Sequence, residues 1–123
     1  MIEGEVTPER QGVVRLQVCR PGGPFEEIAV AIDTGFTGFL ALPTDMITRL
    51  GLHLVGARRG RLADGSLIFM PLYLAEVLWD GVLRRVQVLE PGGPCLVGVS
   101  LLYGYVLTFE AIEGGHVSVD KLP

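Results

Sequence analysis

Cysteine is scarce in this chain of 123 residues, with Cys19 and Cys95 the only two. Two such residues cannot build the dense disulfide framework of a small secreted domain. Both are expected to be small buried hydrophobes in a reducing compartment. Histidine is equally rare. His53 and His116 stand apart, without the paired spacing of a zinc or iron site, so neither a metal nor another cofactor is expected. No basic run exceeds Arg58-Arg59 or Arg84-Arg85, and the net charge is −4. Nucleic-acid binding needs a basic face that this composition does not supply. The longest uncharged stretch, Pro91 to Phe109, holds two prolines and four glycines in 19 residues. That excludes a comfortable membrane-spanning helix, and no membrane partner is expected. The first ten residues, MIEGEVTPER, carry acids and no apolar signal-like segment. A cytoplasmic location is the expectation.

What is abundant is glycine and apolar side chains. Seventeen glycines and eight prolines, with few apolar periods of helical length, predict short strands joined by turns. Val14, Leu16 and Val18 alternate with Val13, Arg15 and Gln17, and Pro21-Gly22-Gly23-Pro24 then reverses the chain. Phe25 to Ile32 predicts the next strand. The same PGGP recurs at 91–94, where coincident turn chemistry is reading enough. Thr44 to Leu50 is the best helix candidate, with Thr44 as its cap and Gly51 at the left-handed C-terminal position. Leu54–Leu62 and Ser66–Leu78 predict two long strands around Ala63-Asp64-Gly65. Asp80-Gly81, between alternating runs, is the strongest hairpin signal in the chain. Leu96 to Tyr103 is expected to hold a second short helix, and alternation at Tyr105–Phe109 and Val117–Val119 closes the sequence. No linker or low-complexity tract divides it, so residues 1–123 are read as one predominantly β domain. Mean hydropathy is +0.44. A small domain with that apolar surplus is expected to cover some surface with a partner.

One acid stands out. In AIDTGFTGFLALP (31–43), Asp33 leaves an apolar strand and precedes Phe36, Phe39, Leu40 and Leu42. Asp and Gly are ordinary turn formers, so a plain strand-ending turn is one reading. The other is chemical. Burial makes a lone carboxylate costly, and two facing carboxylates cannot both ionise, so one proton is shared between them. Such a pair holds a base and an acid at one pH. A water between them can be deprotonated while an amide carbonyl is protonated, which is peptide hydrolysis without a covalent intermediate. Thr34 offers a hydroxyl to lock the loop, and Gly35 a backbone free to take positive φ and to let another chain approach.

The chain resembles the retropepsin-like aspartic proteases, in particular their small bacterial members. Five segments carry the resemblance in the family's order: IAVAIDTGFTGFLALP, RLGL (49–52), LADGS (62–66), CLVGVSLL (95–102) and YVLTFEAIEGGHVSV (105–119). It implies an all-β fold: one closed, β-barrel-like lobe per chain, with a flap hairpin and one or two short helices. Asp33 of the Asp-Thr-Gly motif would then be the catalytic aspartate. Thr34 would hydrogen-bond between facing loops, Gly35 would permit their approach, and Gly98 would allow close packing beneath them. Ala63, Asp64, Gly65 and Ser66 would lie at the flap tip over a peptide or protein substrate. Leu96 and Val97 would sit near the substrate pockets or in the core. The family's best-known enzymes place Ala or Ser after the glycine, whereas this chain has Phe36, whose ring would either narrow the site or pack inward. Asp64 would either disfavour acidic substrates or be a solvated turn residue.

Only one Asp-Thr-Gly occurs, so a second aspartate must come from another chain, and an isologous homodimer follows. Ile2–Val6 and Val117–Val119 are candidates for sheet pairing between its subunits. The expected activity is aspartic endopeptidase. Two alternatives stand beside it. One is a non-catalytic dimeric peptide-binding or interaction module of the same fold. The other is a monomeric small-ligand barrel in which Asp33 only turns the chain.

Overall fold

The computed structural model describes residues 1–123. Ten strands are formed: β1 Ile2–Val6, β2 Gly12–Cys19, β3 Glu26–Ile32, β4 Leu40–Ala41, β5 His53–Arg61, β6 Leu67–Trp79, β7 Val82–Leu89, β8 Leu96–Val97, β9 Tyr105–Phe109 and β10 His116–Lys121. Two short helices interrupt them, α1 Thr44–Leu50 and α2 Val99–Leu102. Neither is long and apolar enough to cross a membrane.

The alternation read in β2 is the alternation of burial. Val14, Leu16 and Val18 are buried, while Arg15 faces solvent. Ile28 and Val30 of β3, Ala75, Val77 and Trp79 of β6, and Val86 and Val88 of β7 bury the matching faces. Neighbour pairing runs β6-β7-β4-β8-β3-β2, and a further antiparallel pairing of Gln17–Cys19 with Glu76–Leu78 joins β2 back to β6. Those six strands form a closed barrel. Closure removes the free edges of the core and lets its inward faces share one apolar interior. Trp79 is wholly buried at one end, with its ring edge-on to Tyr105 at 5.8 Å.

Local chemistry sets the joints. Asp80 (φ 53°) and Gly81 (φ 78°) make the two-residue hairpin turn between β6 and β7 that their sequence demands. Gly51 (φ 69°) closes α1 in the left-handed conformation. Thr44, expected to cap that helix, lies inside its first turn. Pro43 holds the capping position, and its carbonyl accepts from Met46 and Ile47. The two PGGP segments do different work. The first turns β2 directly into β3, whereas the second leads from β7 to β8 on the far side of β4.

The terminal strands also depart from expectation. β1 lies between β2 and β10, and β10 lies between β1 and β9. Ile2–Val6 and Val117–Val119 therefore satisfy one another within the chain. The unpaired edges of the sheet are β5 and β9. Sequence alternation marks a strand but does not say which chain supplies its neighbour.

Candidate active site

Asp33 sits where β3 ends. The strand runs parallel to β8 (Ala31 with Leu96, Ile32 with Val97), and the chain loops over and returns as β4 on the other flank of β8. The loop from Asp33 to Phe39 thus straddles the end of β8, where Gly98 begins α2. Its grip is made of backbone. Asp33 N–H donates to the Val97 carbonyl at 2.9 Å, Gly98 N–H to Phe39 at 3.1 Å, Val99 N–H to Phe36 at 2.8 Å and Ser100 N–H to Gly38 at 3.2 Å. The Ser100 hydroxyl also donates to the Thr37 carbonyl. Buried polar groups of the loop are paired in this way, and a segment without secondary structure is held still.

Within the loop, Asp33 is half-buried, while Thr34 and Gly35 are exposed. Asp33 Oδ1 accepts the Gly35 N–H at 2.9 Å, and its carbonyl accepts the Phe36 N–H at 3.1 Å. This fixes one carboxylate oxygen and leaves the other free to act. Gly35 does not take the positive φ expected of it. A Cβ there would instead stand 3.2 Å from Asp33 Oδ1, so glycine keeps the carboxylate uncrowded.

Phe36 is partly buried. Its ring packs on the backbone of two glycines: a Cβ at Gly38 would lie 2.6 Å from Phe36 Cζ, and one at Gly98 would lie 2.7 Å from Phe36 Cδ2. The ring lies along the glycine floor of the loop. Gly98 is tighter still, since its Cβ would also stand 2.2 Å from the Gly38 carbonyl oxygen. The close packing expected at Gly98 is present, and Gly38 is the partner that the sequence alone does not reveal. Its one signal is its place as a second glycine two residues beyond Phe36.

Leu96 is partly buried and Val97 is wholly buried in the core, the second of the two places expected for the pair. Cys19 is buried and unpaired, and Cys95 lies with its Sγ 3.6 Å from Met46 Sδ. Burial pushes both thiols above their ordinary range, as suits inert packing groups.

β5 and β6 form a long hairpin whose tip is Leu62–Ser66, so Ala63, Asp64, Gly65 and Ser66 occupy the predicted flap position. The tip is a self-contained turn. Leu62 N–H donates to Ser66 and Gly65 N–H to Leu62, both at 2.9 Å, with Gly65 at φ 87°. Leu54, Val55, Leu62, Leu67 and Phe69 of this hairpin are exposed. Asp64 Oδ1 accepts from the Ser66 hydroxyl at 2.6 Å and from the Ser66 N–H at 2.9 Å. The hydroxyl first and the backbone second hold the Asp64 carboxyl below its usual range. A depressed folded-state value means stability present above the unfolded value and lost as pH falls through the folded one. The turn should therefore survive mild acid and loosen only below the ordinary Asp range. An NMR titration of the Asp64 carboxyl should show a midpoint below about 3.9, rising toward it in Ser66→Ala. An unshifted midpoint in the unsubstituted protein would contradict the turn as described.

The largest cavity, about 590 Å³ beside Val6, Phe109 and Ile112, contains no residue of the Asp33 loop. A smaller one of about 90 Å³ adjoins the loop and is lined by Thr37, Gly38, Phe39, Arg58, Leu72, Gln87, Leu89 and Ser100. The smaller is the better candidate for a working pocket, because it joins the flap arm to the acid-bearing loop.

No protein-family model matches the chain, and no curated protein matches it. Solved structures do. EIAV protease complexed with the inhibitor HBY-793 superposes with a TM-score of 0.56 at 16% identity, covering 77% of this chain and 88% of that one. A retropepsin-like aspartic protease from Rickettsia conorii superposes with a TM-score of 0.56 at 15% identity, covering 99% and 92%. The likeness is one of fold, and this chain has the retropepsin-like fold.

Proposed function

We propose that the protein is a homodimeric aspartic endopeptidase in which two Asp33 carboxylates, one from each chain, activate the water that attacks a peptide bond. The observation that carries this reading is the Asp33 loop itself. Its acid is held by backbone on every side, with one carboxylate oxygen tied to Gly35 and Thr34-Gly35 standing exposed at the tip. An exposed, rigid tip centred on an acid is suited to meeting its own copy across a twofold axis.

In the dimer, one carboxylate takes a proton from the water while the other, protonated, donates to the carbonyl oxygen of the scissile amide. Thr34 hydroxyls bridge the facing loops, and Gly35 lets them approach. Gly98 holds each loop from beneath. The apolar side chains exposed on the β5–β6 hairpin close over the peptide and exclude water from the reacting atoms. The Phe36 ring, lying on Gly38 and Gly98, supports catalysis over a module with a ring-filled cleft.

The test joins assembly to chemistry. Sedimentation of the purified protein should give a dimer. A diverse peptide library assayed from about pH 4 to about pH 8 should give a bell-shaped rate profile, since the pair must hold one proton between two carboxylates. A stable monomer, or a dimer cleaving nothing across that range, would overturn the proposal.

A further inference from the structure

The chain is acidic overall, yet β5 carries Arg58, Arg59 and Arg61 within four residues. Five of the other arginines have internal work. Arg15, Arg49 and Arg85 pair with Glu27, Glu26 and Glu76. Arg84 lies 5.9 Å over the Phe39 ring and donates to the Leu101 carbonyl, and Arg61 donates to the Gly65 carbonyl. Arg58, like Arg10, Arg20 and Arg59, takes part in no ion pair of the chain, and of these four it alone lines the cavity beside the Asp33 loop.

Its position gives that free charge a direction. Arg58 pairs with Met70 across the hairpin, and strand alternation sets its side chain on the opposite face from Arg59 and Arg61. It lines the small cavity beside the Asp33 loop, together with Phe39, Leu72 and Leu89 as apolar walls and Gln87, a residue that carries an amide donor. A guanidinium and an amide beside apolar walls suit a side chain with a short methylene stem and a carboxylate end. The one acid of the flap tip, Asp64, is turned onto Ser66 and does not line this cavity.

We propose that this cavity, between Arg58 on the flap arm and the Thr37–Phe39 segment, receives an acidic side chain of the peptide substrate. The inference rests on the protease reading and adds a substrate class to it: peptides with Glu or Asp near the cleaved bond. Of the two readings of Asp64, it goes with the solvated turn residue.

The test separates the two ideas by measuring binding as well as cleavage. Fluorescein-labelled peptides, identical except for Glu or Gln at each position in turn, are titrated into Asp33→Asn protein. At one position Glu should bind about tenfold more tightly than Gln. Adding Arg58→Gln should abolish that preference, and Arg58→Glu should reverse it. Arg59→Gln, which removes the same charge from the other face, should preserve it. Equal binding of Glu and Gln peptides at every position overturns the inference, as does a preference that survives Arg58→Gln or no peptide binding at all. Cleavage by the unsubstituted protein without an acidic preference removes this inference and leaves the protease reading standing. Arg58-dependent binding without cleavage removes the protease reading and leaves the acidic pocket.

Discussion

Asp33→Asn should abolish peptide cleavage while leaving the fold and the dimer intact. The amide is nearly isosteric with the carboxylate, and its oxygen can still accept the Gly35 N–H that Asp33 Oδ1 accepts at 2.9 Å. The backbone bonds that pin the loop to Val97, Gly98 and Val99 do not involve the side chain. Stability should therefore change by no more than about 0.5 kcal/mol, as for a substitution that removes no packing. What disappears is the group to which the proposed mechanism assigns the taking and giving of the proton. The rate should fall by about 10⁴-fold or more, the scale seen when a central catalytic group is removed.

Mixing sharpens the expectation. If both carboxylates of one site come from two chains, a hybrid of native and substituted subunits has one acid and cannot cycle. After subunits of equal amounts exchange freely, about a quarter of the dimers are fully native, so activity should be about a quarter of the all-native value. Independent sites would leave about a half. Retained activity in Asp33→Asn, or a decline in simple proportion to the native fraction, would reject the two-chain site.

The second large effect lies beneath the loop. At Gly98 the backbone is extended, with φ −101°, so alanine there meets no conformational strain. It meets atoms instead. Its Cβ would stand 2.2 Å from the Gly38 carbonyl oxygen and 2.7 Å from both the Phe36 carbonyl oxygen and the Phe36 ring. Two of those three are backbone, which cannot rotate away. Gly98→Ala should cost about 3 kcal/mol or more, beyond ordinary overpacking. Any relief must lift the loop off β8, stretching the bonds from Gly98, Val99 and Ser100 into it. That displaces Asp33, and a shift of about 1 Å in a reacting group can lower the rate by about a hundredfold. Gly93→Ala provides the comparison, since a Cβ there meets nothing within 4 Å. Thermal melting of the two variants measures the difference. A Gly98→Ala melting temperature equal to that of Gly93→Ala would show that the loop does not rest on this contact.

Strand alternation in Val14-Arg15-Leu16-Gln17-Val18 is legible from the residues alone, because burial on one face repeats every second position. The Asp80-Gly81 turn is legible for an equally local reason, as is Gly51 at the end of α1. Asp33 can be singled out because an acid in an apolar run has a cost that demands a reason. What escapes is relational. β1 and β10 are each recognisable as strands, but their pairing with one another joins the two ends of the sequence. Thr37 and Ser100 give no signal alone, and Gly38 only its spacing from Phe36, since their meaning comes from β8 passing beneath the loop. Arg58 reads as part of a short basic run, and only the cavity beside it distinguishes it from Arg59.

Barrel closure carries one further consequence, for how the protein comes into being. The Thr37–Ser100 contact spans 63 residues of chain, and the β2–β6 pairing that completes the ring spans a comparable distance. Contacts so remote repay the entropy of loop closure only after much of the chain is in place, so folding is slow and its last events are long-range. The Asp33 loop has no secondary structure of its own and takes its shape from β8 and α2, which are synthesised about 60 residues after it. On the ribosome the acid is therefore present long before its geometry is. The shape that gives Asp33 its setting arrives only once β8 and α2 have followed it.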